Sequence, residues 1–266
     1  MKARLAQRIH FCFLIPFLIC ILLPRALADP VPVRQVGGTI HGFLELRSED
    51  GRVVASGDIT RVVRGDRITS RTTFHFRDGS VDDETAVFSQ RRVLQLISYR
   101  HIQNGTSFPH PMDLVIDARS GQVTVHSTGK DGKPEDKSEH LDLPADLANG
   151  LVPVIVENMR GDAGATVTVS MVVATPKPRL VKLVITNVGE DKCAVAGAAR
   201  KAIHYEIKID LGGVAGVVAP IIGKEPPKIQ IWTIGGVGTT FAREQGPLYP
   251  EGPMMTIQLA NPTWSR

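Results

Sequence analysis

Apolar and polar residues alternate through most of this chain with the two-residue period of a half-buried strand. In 203–209, Ile203, Tyr205, Ile207 and Ile209 share one face, and His204, Glu206 and Lys208 share the other. In 72–76, Thr72, Phe74 and Phe76 oppose Thr73 and His75. The run 93–99 alternates less cleanly, because Leu94 and Leu96 are apolar alongside Val93, Ile97 and Tyr99. That pattern fits a strand covered on both faces.

Turn residues punctuate these runs at hairpin spacing. Glu49-Asp50-Gly51 joins 39–48 to 52–63, Arg64-Gly65-Asp66 leads into 67–77, and Arg77-Asp78-Gly79-Ser80 leads into 82–90. Arg119-Ser120-Gly121 joins 112–117 to 122–128. Further strands are predicted at 165–174, 179–188, 201–210, 228–234 and 254–260. The pattern predicts a mainly β protein of about a dozen strands, a long antiparallel meander forming a curved sheet, half-barrel or sandwich. Nothing resembles a βαβ unit or a fixed-period repeat.

One segment departs from this rhythm. After Pro144, the residues Leu147, Leu151, Ile155 and Met159 recur every fourth position. The spacing predicts one short helix near 145–159, or two turns broken near Asn149-Gly150 and Pro153. A lone amphipathic helix in a β protein either covers the concave side of the sheet or serves as a connector. The segment HLDLPADLANGLVPVIVENM (140–159), flanked by strand meanders on both sides, resembles secreted bacterial proteins of unknown function with a lipoprotein-carrier-like (LolA/LolB-type) β half-barrel fold. The resemblance would cover most of 37–260. It implies a curved antiparallel sheet with helical material over its open side, and a half-barrel that in the carriers holds acyl chains.

The first 28 residues change the electrostatic picture. Lys2, Arg4 and Arg8 precede an apolar run at 11–24, and Ala26-Leu27-Ala28 precedes Asp29. These are the three parts of a secretory signal peptide, with cleavage expected after Ala28. The apolar run is shorter than the roughly 20 residues a membrane anchor needs, so no transmembrane span is expected after signal removal. Cys20 lacks the small preceding residues of a lipoprotein signal. The chain holds 31 Lys+Arg against 27 Asp+Glu, and the signal carries four basic residues (Lys2, Arg4, Arg8, Arg25) and no acid. The mature chain therefore has equal numbers of each sign, and no nucleic-acid partner is expected. Of three cysteines only Cys193 lies beyond the signal, so no intramolecular disulfide forms. The expected location is exported, periplasmic or secreted, with a bacterial envelope favoured by the lack of disulfides. Residues 29–266 read as one antiparallel β domain, with 37–160 and 161–266 as possible halves.

Motifs for chemistry are sparse. There is no HExxH, CxxC or GxSxG, and Gly235-Gly236-Val237-Gly238 lacks the lysine and βαβ setting of a phosphate loop. Asn104-Gly105-Thr106 matches a three-residue glycosylation pattern that is common by chance. The polar-loop candidates are His101 and His110, with Asp82 and Asp83 in a neighbouring acidic stretch that includes Glu84. No catalytic residue, metal or cofactor is assigned. The segment 211–223, LGGVAGVVAPIIG, is uncharged and too short to span a membrane. It fits a buried crossing, a lid over an apolar cavity, or a surface for lipid or a partner. The apolar-ligand candidates are Val214, Val217, Val218 and Ile221 there, with Leu151 and Ile155 in the helical segment.

Three functions follow. The first is an exported non-enzymatic β protein that binds or shelters an apolar ligand, a lipid or acyl chain, or supports an envelope complex. The second is a structural or adhesive envelope module with a filled core. The third is a hydrolase or metal-dependent enzyme, which would need His101, His110 and a carboxylate of Asp82 or Asp83 in one cleft. A continuous apolar cavity separates the first from the second.

Overall fold

The computed structural model describes residues 30–260, apart from 130–131, 175–176, 196, 211–226 and 236–237. In chain order the strands are β1 (Ile40–Ser48), β2 (Val53–Arg64), β3 (Arg67–Phe76), β4 (Val81–Ser89), β5 (Gln95–Asn104), β6 (Met112–Asp117), β7 (Gln122–Thr128) and β8 (Pro134–His140). The helix α1 (Val152–Asn158) follows. Then come β9 (Thr166–Val173), β10 (Arg179–Val195), β11 (Ala198–Asp210), β12 (Ile229–Ile234), β13 (Thr240–Pro247) and β14 (Met254–Leu259). All 14 strands join one curved, open antiparallel sheet. β1–β8 form one meander and β9–β14 a second. The two meet where the first and last strands pair, with Leu44 opposite Leu259 and Leu46 opposite Ile257. The alternatives left by the alternation pattern thus resolve to a single curved sheet.

Alternation decides what each strand buries. Phe74, Phe88, Ile116, Ile185 and Ile231 point to the concave side and belong to one core with Leu151 and Ile155 from the helical segment. Gly57 of β2 lies between Leu44 and Phe74 on neighbouring strands. A Cβ there would meet the Phe74 ring at 2.7 Å and collide with the Thr73 carbonyl, so only glycine lets the sheet bend this tightly. The bend carries β5 round to the β13–β14 turn: Gln103 Nε2 donates to the Leu248 carbonyl at 2.9 Å. The Phe108 and Tyr249 rings meet nearby with centroids 6.0 Å apart. A smaller apolar cluster, Cys193, Ala202, Trp232 and Ala242, supports β10–β13. Trp232 stacks on His204 at 4.6 Å and donates to Asp191 at 2.8 Å.

The two sheet edges are protected differently. β8 reads PEDKSEH, with its charged side chains largely in solvent, which discourages pairing with another chain. β9 is capped by residues 146–149. Leu147 bridges Ser170 in parallel, Ala148 N–H donates to the Ser170 carbonyl, and Ser170 N–H donates to the Asp146 carbonyl. The Asn149 amide completes the edge by bonding both the N–H and the carbonyl of Val172, each at 2.9 Å.

This use of 146–149 explains why the helix is shorter than the 145–159 spacing predicts. Asn149 is committed to β9, and Gly150 has φ 69°, outside helical space, with Ala86 and the Tyr99 ring too close for any Cβ. Only Val152–Asn158 is helical, starting with proline in its first turn.

Candidate functional site

The concave side carries a group of polar side chains on β4, β5 and β13. Asp82, Asp83 and Glu84 lie within β4, not in a loop, so alternation separates them. Asp82 and Glu84 face inward, opposite Gln103 and His101 of β5. Asp83 faces outward and pairs with Arg71 of β3, which holds its carboxyl below the usual range. His101 also belongs to β5, and the loop begins only after Asn104. His101 Nε2 lies 3.1 Å from Asp82 Oδ1, and Gln103 Nε2 donates to Asp82 Oδ2 at 2.8 Å. Burial opposes the charging of His101, yet the hydrogen bond and charge of Asp82, helped by Glu84 and Asp83, raise its pKa. His110 stands exposed in the loop beyond β5. The structure therefore brings His101 and Asp82 together and leaves Asp83 and His110 elsewhere.

Sequence reasoning missed the neighbours of this pair. Tyr99 donates its hydroxyl to Glu84 at 2.6 Å, and burial, followed by the Glu84 charge, pushes the phenol well above its ordinary pKa. Glu244 of β13 projects among apolar neighbours, opposite Ile231 and Ile257. Burial, reinforced by the charge of Glu84 from across the curve, pushes Glu244 up to about 7. The group can hold or release a proton near neutrality. The imidazole of His101 is turned onto Asp82 and the phenol of Tyr99 onto Glu84. Among the described residues no three His, Cys, Asp or Glu side chains are grouped as metal ligands would be.

The helical segment occupies the rest of the concave side. Leu151 and Ile155 are 1% and 2% exposed and pack in the main core. Glu157 forms a buried ion pair with Arg61 of β2 at 3.0 Å, and its other oxygen accepts the Phe241 N–H. Asn158 accepts from the N–H groups of Arg34 and Gln35, tying the segment to the chain entering β1. Between this segment and the sheet lies an enclosed cavity of about 20 Å³, lined in part by Arg61, Ser70, Thr72 and Glu84. The buried Nε of Arg61 has no hydrogen-bond partner. Val214, Val217, Val218 and Ile221 lie outside the described residues.

No family model matches this sequence. No curated protein matches it either. Among solved structures, the crystal structure of the hypothetical lipoprotein YmcC from Escherichia coli (K12) aligns over 86% of this chain and 91% of that chain, at 10% identity and a TM-score of 0.39. The fold described above stands on this chain's own strand pairing. No helix among the described residues is long and apolar enough to cross a membrane.

Proposed function

We propose that the protein is an exported, non-enzymatic envelope module, a half-barrel filled by its own chain that works through its surface. The observation supporting this reading is the occupation of the concave side by residues 145–159. The space left beneath them, about 20 Å³, has room for one water molecule. Small-molecule sites run to roughly 300–1,000 Å³. Leu151 and Ile155 are buried in the core on that side, and buried polar ties at both ends hold their segment down. Export rests on the signal-like residues 1–28, and a periplasmic location on the lone Cys193. Lipid extraction and native mass spectrometry of protein purified after expression of the full-length chain test the proposal. The expected result is mature protein with no stoichiometric lipid. One acyl chain per molecule would overturn it and favour the sheltering of an apolar ligand.

That second reading draws on the uncharged segment 211–223, which lies outside the described residues. It requires residues 145–159 to leave the groove, exposing the apolar faces of Leu147, Leu151 and Ile155 unless lipid replaces them.

A further inference from the structure

A separate open groove lies at the end of the sheet where β2 begins and β3 ends. It has a volume of about 240 Å³ and is lined by Arg52, Val53, Val54, Phe76, Arg77, Asp78 and Ser107. Its floor is apolar. The Phe76 ring is held edge-on by Phe108 at 5.3 Å, and Phe108 in turn by Tyr249 at 6.0 Å, so the floor is braced from behind.

The rim is cationic. Arg52 and Arg77 are exposed, and neither guanidinium makes an ion pair with a carboxylate among the described residues. The adjacent acids are engaged elsewhere. Asp78 accepts from the Ser80 N–H at 2.9 Å and from the hydroxyls of Thr106 and Ser107 at 2.7 and 2.8 Å, bonds that hold its carboxyl well below the usual range. Asp50, whose charge lies near Arg52, accepts from the Ser48 hydroxyl and the Arg52 N–H. The groove thus offers two guanidinium forks without a carboxylate ion pair over an aromatic and aliphatic floor, with the carboxylates of Asp78 and Asp50 nearby held by their own hydrogen bonds.

We infer that this groove binds a small organic anion, a phosphate or carboxylate carrying a short apolar tail. The guanidiniums would take the anionic head by charge-assisted forked hydrogen bonds. The tail would lie on Phe76 and Val54. The volume falls below the range for drug-sized ligands, which limits the tail to a few carbons within the groove. A free metabolite and a lipid head group share this chemistry. The groove is separate from the cavity beneath the helix, with which it shares no lining residue.

Titration of ¹⁵N-labelled protein with hexyl phosphate, inorganic phosphate and hexanol tests it. Hexyl phosphate is expected to shift the amide signals of Val53, Val54, Arg77 and Ser107, binding about tenfold more tightly than either half alone. Arg52→Gln and Arg77→Gln each weaken binding about tenfold, and their salt dependence falls with them. Phe76→Leu weakens hexyl phosphate and leaves inorganic phosphate unchanged. Both arginines are exposed, so thermal unfolding of their variants should match the parent. Sedimentation with phosphatidylglycerol vesicles, lost in the double arginine variant, assigns a lipid head group; binding to the soluble probe alone assigns a free ligand. Amide shifts elsewhere in the molecule, or unchanged affinity in the double arginine variant, overturn the inference.

Discussion

Replacing Glu244 with Gln should make the protein more stable at alkaline pH and leave it nearly unchanged in mild acid. Glu244 sits on the concave side between Ile231 and Ile257, with the charge of Glu84 reaching it from β4. Its pKa rises from 4.5 to about 7, first through burial and then through Glu84. Between those values the folded protein holds a proton that the unfolded chain has released. Stability therefore falls as pH rises, with the full benefit present below about 4.5 and lost on passing through about 7. At about 1.36 kcal/mol per pKa unit, the rise from 4.5 to about 7 corresponds to slightly more than about 3 kcal/mol. The side chain retains some contact with water, so the measured value should fall below that figure. His101 acts in the same direction, because its raised pKa lends stability that is lost as pH rises through the folded value. Comparing variant and parent at each pH removes that contribution. The assay is urea unfolding at pH 5, 6, 7 and 8, followed by tryptophan fluorescence. The stability difference should grow with pH to roughly 2–3 kcal/mol at pH 8. A difference that stays flat from pH 5 to 8 would refute the placement of a neutral Glu244 in the folded protein.

Three other outcomes are expected. Arg61→Met strands the Glu157 carboxylate under the helix and should cost about 3–5 kcal/mol, whereas Arg61→Met with Glu157→Met should recover most of that loss in chemical denaturation. Asn149→Ala removes both side-chain bonds to Val172 and should cost about 2–3 kcal/mol, with faster hydrogen exchange at Val172; unchanged exchange there would contradict the edge cap. Protein recovered from the envelope should begin at Asp29, whereas an intact Met1 or a lipid-modified Cys20 on N-terminal analysis would refute signal cleavage.

The strands were legible where one face meets the core and the other meets water. The prediction weakened where the ladder departs from strict pairing. In β5 a register shift lies between Val87 and Phe88 of its partner, and Leu96 and Tyr99, three residues apart, are both buried. That bulge, and not coverage of both faces, broke the period in 93–99. β8 went unseen because an edge strand without an apolar stripe gives no alternation to detect. β13 was hidden by Gly246, Pro247 and the inward Glu244, and its register shift near Trp232 adds a further irregularity. β10 runs on past residue 188 through Gly189, Glu190, Asp191 and Lys192, a polar stretch with no apolar stripe to extend the predicted strand.

The polar group was harder to read because sequence proximity and side-chain parity conflict. Asp82-Asp83-Glu84 looks like one acidic feature, yet its middle member belongs to the outer face with Arg71. Glu84 finds its electrostatic neighbour in Glu244, four intervening strands away across the sheet, through curvature that no local pattern encodes.

The segment 140–159 was conspicuous for a different reason. Its regular apolar spacing suggested a helix that meets a ligand, but its residues divide between two structural tasks. Asp146 and Asn149 satisfy the backbone edge of β9, which an open sheet leaves unpaired where a closed barrel would supply another strand. Leu151, Ile155 and Glu157 then fill and tie down the groove that the same open edge creates. Gly150 is the joint between them, since its positive φ redirects the chain from the edge into the groove. One stretch of chain therefore answers both problems of an unclosed sheet, its unpaired edge and its uncovered concave face. This accounts for the distinctive pattern of the segment without requiring a bound molecule to explain it.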